Sequence, residues 1–335
     1  FEITIDKIDS KTPNDIYFSK QWYINKIKAL DALNYASQDT VLIGVIDTGI
    51  DFNHPDLKKS IFYNFGEMGI DSQGRDKRFN GVDDDGNGFI DDYFGYDFVN
   101  RFNTQNDTIN DFSVWDNYPL DEHGHGTAVT GVIAATVNNS IGIAGINPYA
   151  KILNLRAFDK TGNGNEDDVA AAIIYAVKMG CKIINMSFGD DSYSLLLRDV
   201  IRFAYLRGVT LVASAGNKNS SIPHYPSFFQ EVISVGASNE QDNKASFSNY
   251  GTRIDLVAPG TNIYSTTLNN SYDYLNGTSF AAPIVSAVAG LLKSKYPNLS
   301  PDEIKNILKI TANDISKKGA DNETGSGRLN ALNAL

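Results

Sequence analysis

The run V-L-I-G-V-I-D-T-G-I-D, residues 41–51, decides how this chain folds. Its first six residues are apolar without alternation and rich in β-branched side chains. A strand wet on one face alternates; a strand buried on both faces does not. Similar runs occupy 152–155, 183–186, 210–213, 232–235 and 254–257. Between them lie helical patterns: 127–135, 166–179 stopping at Gly180, and 194–206 before Gly208. Two more, 280–295 and 301–310, close the chain, and Ser300 then Pro301 read as N-cap and first helical residue. Alternating strands and helices predict an α/β fold, a doubly wound, mostly parallel sheet with helices on both faces. In such sheets binding sites gather beyond the carboxyl ends of the strands, which is where Asp47 falls.

Two stretches break the alternation. Residues 1–22 are a polar lead-in, and 57–120 are rich in Asp, Asn, Gly and aromatics with weak periodicity, as in a long surface excursion. There is no internal repeat, so one domain is expected. At 335 residues and 42% hydrophobic content the chain can build its own core. The lone cysteine, Cys181, cannot form an intrachain disulfide and reads as a buried, inert thiol in C-K-I-I-N-M. A net charge of −11 argues against general nucleic-acid binding. No apolar run is long enough for a membrane span, and no signal peptide is visible.

Four positions carry chemistry. Asp47 ends a buried strand, where a carboxylate is costly unless paired; it could also merely cap the turn that follows. The G-x-G-x-x-G spacing of a dinucleotide site is absent. His125 stands in D-E-H-G-H-G-T, with glycines that let another segment approach the ring. Of four histidines it is best placed to act as a base, and H-x-H with His123 lacks a third ligand for zinc. Ser279, in N-G-T-S-F-A-A-P, opens a helix of almost purely apolar residues. It reads either as a helix cap or as a nucleophile aimed out of a helix N-terminus. Asn217 ends L-V-A-S-A-G-N, an ordinary turn or a donor for an oxyanion. The acidic run G-V-D-D-D-G-N-G-F-I-D-D, residues 81–92, is a solvated loop or a cation site. Asp83, Asp85, Asn87 and Gly88 follow the start of an EF-hand loop, with the Phe89 carbonyl next. Phe94 stands where that loop needs Glu, so Asp91 or Asp92 would have to close the site.

V-I-D-T-G-I-D, H-G-T-A-V-T-G, A-S-A-G-N and N-G-T-S-F-A-A-P, in this order, resemble the subtilisin-like serine proteases (subtilases). N-N-S-I-G-I-A-G-I-N-P, I-I-N-M-S-F-G and D-L-V-A-P-G add to the likeness, which runs from about Thr12 to Ala331. K-T-P-N-D-I-Y-F-S is similar to the thermitase-like N-terminal pattern. Aspartate, histidine, serine is the order of the relay in subtilisin, whereas α/β-hydrolases run serine first through G-x-S-x-G, which this chain lacks.

The resemblance implies a seven-stranded parallel sheet and a serine endopeptidase of broad specificity working through an acyl-enzyme. It assigns Asp47, His125 and Ser279 to the relay and Asn217 to the oxyanion. A peptide or protein substrate would lie extended between Gly162, Asn163 and Gly164 on one side and Ser187, Phe188 and Gly189 on the other, with Gly216 and His224 in the primary pocket. Ca2+ is implied at two or more sites. One would use Asp56, Val137, Asn139, Ile141 and Ile143 with Asp15; the other would use Asp83, Asp85, Asn87, Phe89 and Asp92. Residues 1–14 are expected to be an extension, a propeptide remnant or linker, and 15–335 the catalytic domain. The resemblance further implies the chain's own propeptide as a partner before maturation, a secreted or cell-surface location, and a monomer. The 78 positions from Asp47 to His125 imply an insertion expected to cover one rim of the cleft. His224 would either take pocket volume that a large aromatic needs or turn away to pack beside Tyr225 and leave an ordinary apolar pocket. Lys218 would add positive charge, shifting preference toward medium, polar or acidic side chains. The competing readings are a silent calcium-binding scaffold and an α/β-hydrolase esterase. Filled catalytic positions argue against the first, and motif order against the second.

Overall fold

The computed structural model describes residues 12–99 and 115–335. Residues 1–11 of the expected extension and 100–114 of the expected insertion lie outside the described residues. Seven strands, β1 (Val41–Asp47), β2 (Tyr96–Asp97), β3 (Ala150–Arg156), β4 (Ile183–Met186), β5 (Thr210–Ser214), β6 (Val232–Ser238) and β7 (Leu256–Pro259), form one sheet. Their order is β2-β3-β1-β4-β5-β6-β7, and every neighbouring pair is parallel. A second, antiparallel pair, β8 (Ile263–Thr267) and β9 (Ser271–Leu275), leads into the last long helix.

Eight α-helices are described: α1 (Trp22–Lys26), α2 (Ala29–Leu33), α3 (His125–Ala134), α4 (Glu166–Lys178), α5 (Leu195–Leu206), α6 (Thr278–Lys295), α7 (Pro301–Ile310) and α8 (Ala331–Ala334). The apolar run of β1 serves two cores. Val41, Ile43 and Val45 pack with Val129 and Val132 of α3 and with Ile284 and Val288 of α6. Ile46 turns to the other face, among Ile173 and Ala176 of α4 and Ile201 and Ala204 of α5. Each such side chain, fully buried, contributes about 1.5–3 kcal/mol relative to exposure. That is why no polar residue alternates along this strand until Asp47.

Several boundaries differ from the sequence expectation. α3 begins at His125 and α6 at Thr278, so both key side chains lie in first turns rather than before them. The strand expected at 254–257 runs Leu256–Pro259 instead. Asp255, just before it, is buried and takes ion pairs from Lys305 (2.9 Å) and Lys309 (3.2 Å) of α7. The expected surface excursion 57–120 is partly core. Leu57, Ile61, Tyr96 and Phe98 are buried, and Tyr96 forms the edge strand against Leu155. A two-residue strand carries no readable period. None of the described residues of this segment lines the cleft, and 100–114 lie outside the described residues; the described part packs against α4, where Phe89 meets Tyr175 at 4.5 Å. The polar lead-in also docks. Gln21 is buried, donating to the Ala144 carbonyl and accepting from its N–H, each at 2.8 Å.

Candidate active site

The cleft lies beyond the carboxyl ends of β1, β3, β4 and β5. Asp47, the last residue of β1, is buried; its Oδ1 accepts the Thr48 N–H at 2.8 Å and the His125 Nδ1–H at 2.7 Å. A carboxylate only accepts, so the imidazole hydrogen sits on Nδ1 and the neutral ring leaves Nε2 bare. Burial pulls the His125 pKa down, but the charge and hydrogen bond of Asp47 and the charge of Asp121 outweigh it, and the net direction is up from the usual 6.5. The ring keeps 26% exposure, facing the cleft.

His125 is held by a residue not singled out from the sequence. Asp121 is buried and accepts from Thr48 Oγ1, His123 N, Gly124 N, Thr127 N and Thr127 Oγ1, all at 2.7–2.9 Å. Gly124, the N-cap of α3, has φ +100° and supplies no capping side chain, so Asp121 satisfies the first-turn N–H groups in its place. The signal was present in D-E-H-G-H-G-T: an acid just ahead of a helix start.

Ser279 sits in the first turn of α6. Pro283, four residues on, has no N–H, which leaves the Ser279 carbonyl without a helical donor. Ser187 Oγ donates to it at 2.8 Å, and Ser279 Oγ donates to the Ser187 carbonyl at 3.1 Å. Behind this pair, Asn185 Nδ2 donates to Ser187 Oγ (2.9 Å) and Ser286 Oγ to Asn185 Oδ1 (2.8 Å). Asn185 and Ser286 are fully buried. A polar residue inside an apolar strand and another inside an apolar helix each need a partner, and here they find one another. In this structure no hydrogen bond joins Ser279 Oγ to His125, although the His125 ring lies 5.7 Å from that of Phe280, the next residue along α6.

Asn217 follows β5. Its Oδ1 accepts from Thr278 N (2.8 Å) and Thr278 Oγ1 (2.9 Å), while Thr278 Oγ1 accepts from Gly216 N (3.1 Å). An N–H must meet an oxygen, so this fixes the amide with Nδ2 turned away from Thr278. Asn249 braces the same turn, donating to Ala215 O and accepting from Lys218 N and Ser220 N. Thr278 and Asn249 were not chosen from sequence.

A cavity of about 780 Å³ joins these groups. It is lined by Asp47, His125, Asn217 and Ser279, and by all eight residues expected to bind substrate: Gly162, Asn163, Gly164, Ser187, Phe188, Gly189, Gly216 and His224. Lys218 is not a free charge at its rim; it pairs with Asp191 at 2.6 Å, and His224 Nδ1 lies 3.2 Å from the other oxygen of that carboxylate. The expectation of an acidic preference loses its basis, because the positive charge is matched.

Two places could hold a cation. Asp15 and Asp56 are buried, accepting from the N–H groups of Asn138, Asn139 and Ile143 and from Asn139 Nδ2, with no basic side chain on either among the described residues. Burial raises both, Asp56 to about 6, against the pull of its hydrogen bonds. The carbonyls of Val137, Ile141 and Ile143 accept no hydrogen bond among the described residues, whereas their neighbours Gly142 and Ala144 do. The second place brings a residue from outside the expected loop to two of the expected ligands. Asp85 and Asp92 meet Glu67, with ligand oxygens within 4.8 Å of one another. Glu67 is buried with Oε2 unpartnered, and burial above all pushes its carboxyl up to about 7. Asp83 instead accepts the N–H groups of Asn87 (3.0 Å) and Gly88 (2.7 Å), Asn87 donates to Asp85 and Asp92, and the Phe89 ring faces Tyr96. Glu67 lies too far along the chain for a loop-spacing motif to find it.

A family model described as "Subtilase family" matches residues 38–327. The chain is 37% identical over 328 residues to a thermophilic serine proteinase of Bacillus sp. (strain AK1), covering 97% of this chain and 69% of that protein. It is 36% identical over 325 residues to thermitase of Thermoactinomyces vulgaris, covering 97% and 99%. Among solved structures, a protease from Pseudoalteromonas arctica PAMC 21717 superposes with a TM-score of 0.79 at 29% identity, over 97% of this chain and 98% of that one. Sheet order, cleft and these likenesses agree, and the chain belongs to the subtilase family of serine endopeptidases.

Proposed function

We propose that this endopeptidase cuts peptide bonds through Asp47, His125 and Ser279, with Asn217 at the oxyanion. The observation that carries the reading is the 2.7 Å bond from His125 Nδ1–H to buried Asp47 at the floor of the cavity that Ser279 and Asn217 also line. Substrate binding turns the Ser279 hydroxyl from the Ser187 carbonyl to His125 Nε2, a rotation about one single bond. Oγ attacks the scissile carbonyl carbon, and its proton passes to Nε2. Asp47 holds the ring's tautomer and stabilises the imidazolium. The oxygen of the tetrahedral intermediate accepts from Asn217 Nδ2 and the Ser279 N–H, a free donor of the first turn of α6. Collapse breaks the C–N bond, and the leaving amine takes the proton from His125. Water, deprotonated by the same nitrogen, then hydrolyses the acyl-enzyme. Backbone pairing along 162–164 and 187–189 reads main chain rather than side chains, which gives broad sequence tolerance. Hydrolysis of casein by the wild type, and its loss in Ser279→Ala, tests this; equal cleavage by the variant would refute it.

The base must be neutral to act. The net upward shift of His125 therefore puts the acid limb of kcat/KM at an apparent midpoint above 6.5, with activity rising as pH rises through it. A pH–rate profile on a small peptide checks this, and a midpoint below 6.5 would contradict it.

Calcium fits both acidic places. Asp15, Asp56, the Asn139 side chain and the three unused carbonyls supply hard oxygen donors, and a cation there offsets two buried carboxylates. Glu67, Asp85 and Asp92 would hold a second ion, with the free Glu67 Oε2 as one ligand. Ions bound only by the folded state stabilise it by mass action. Chelating calcium that had been present at about 100 times its Kd should thus remove about 2.7 kcal/mol per site and lower Tm by about 5 °C or more. Equilibrium dialysis should find one ion fewer in Asp56→Ala and in Glu67→Gln; no bound calcium in the intact protein would refute both sites. The proposed catalytic domain is 15–335, acting as a secreted or cell-surface monomer matured from its own propeptide. No helix among the described residues is long and apolar enough to cross a membrane.

A further inference from the structure

The primary pocket has an end wall that the protease chemistry does not require. A Cβ placed on Gly189 would fall 2.5 Å from His224 Nε2 and 2.8 Å from Cδ2; one placed on Gly216 would fall 3.0 Å from Cδ2. The Cδ2–Nε2 edge of the imidazole therefore packs against both glycines, and His224 lines the cavity with them. Its other nitrogen is committed. Nδ1 lies 3.2 Å from Asp191 Oδ1, and Asp191 Oδ2 takes Lys218 Nζ at 2.6 Å. The hydrogen bond from Lys218, then that from His224, holds the Asp191 carboxyl below its usual range, so it is a carboxylate and only accepts. The Nδ1 position is thus a donor to Asp191, and in that tautomer the acceptor of the imidazole is Nε2, on the edge that meets the two glycines. Ser214, the last residue of β5, is buried and lines the same cavity. Its hydroxyl makes no hydrogen bond among the described residues.

We propose that His224 and Ser214 recognise a side-chain carboxamide, glutamine before asparagine, on the residue whose carbonyl is cut; this rests on the serine-protease reading of the cleft. The amide N–H donates to His224 Nε2, and Ser214 Oγ–H donates to the amide oxygen. Both polar groups are satisfied at once. An aromatic ring needs the volume that the imidazole fills. A carboxylate offers acceptors alone and meets the Nε2 lone pair. A lysine donates only and leaves the Ser214 proton unmatched.

The test is kcat/KM on peptides that differ only at this residue: Gln, Asn, Glu, Leu, Phe and Lys. Glutamine should exceed its near-isosteres Glu and Leu by about tenfold, the worth of one to two net hydrogen bonds. His224→Leu keeps the bulk and loses the acceptor, so it should lose the glutamine preference without gaining phenylalanine. His224→Gly should move the preference toward phenylalanine. A wild-type preference for Phe, Leu, Glu or Lys, or a glutamine preference that survives in His224→Leu, overturns the assignment. If no peptide is cut and a fluorophosphonate fails to label Ser279, the protease reading falls and takes this one with it. Labelling and cleavage with the wrong preference overturn the pocket assignment alone.

Discussion

Alanine at Ser279 or His125 is expected to lower kcat by about a millionfold, and alanine at Asp47 by about ten-thousandfold, magnitudes established on subtilisin, a member of this family. The ranking follows from what each group does. In the proposed mechanism Ser279 supplies the bond-forming oxygen and His125 moves its proton, so neither function survives without the side chain. Asp47 positions a ring that keeps some chance of the right tautomer unaided, hence the smaller loss. Because the three act as a unit, the triple variant should be about as slow as the worst single one. Single-turnover kinetics on an activated ester substrate check this. Independent, multiplying losses would mean that the three do not share a transition state.

The second largest effect belongs to Asn217. Removing its amide in Asn217→Ala should lower kcat by about 100- to 1000-fold with little change in KM, again a magnitude known from subtilisin. The donor acts on charge that develops only in the transition state. The structure adds a sharper variant. Thr278 fixes the amide with two hydrogen bonds to Oδ1, from its backbone N–H and from its hydroxyl. Thr278→Val keeps the backbone bond and the shape but loses the hydroxyl, so it should lose part of the Asn217 effect. In an Asn217→Ala background the same change should cost almost nothing more. Full additivity of the two would contradict a positioning role for Thr278.

The residues proposed to carry the chemistry were legible in the sequence because each lies in a short run whose composition is odd for its element. Asp47 ends an apolar strand, Ser279 opens an apolar helix, and His125 stands between glycines. The fold class was legible for a similar reason: a strand with no polar alternation has to be covered on both faces. What escaped was everything set by contact between distant segments. Asn185 and Ser286 meet across a strand and a helix, and Glu67 joins Asp85 and Asp92 from a separate turn. No window along the chain holds both partners of any of these. β2 escaped because two residues cannot show a period, and its pairing depends on β3 being there first. The spacing around Asp83 left turn and ion site both open, because an Asp two residues before another Asp builds turns as readily as it binds ions; here it accepts backbone N–H groups. The Lys218 charge was legible, but its pairing with Asp191, 27 residues away, was not.

The central claim is that Ser279 is made nucleophilic by His125 held on Asp47. The most direct measurement is the rate at which a fluorophosphonate probe labels the folded protein, with the modified residue located by mass spectrometry. The account predicts a single adduct on Ser279. Its formation should slow about as much in His125→Ala as peptide hydrolysis does, and it should show the acid limb of the native enzyme. An adduct on another residue, or equally fast labelling of Ser279 without His125, would contradict it.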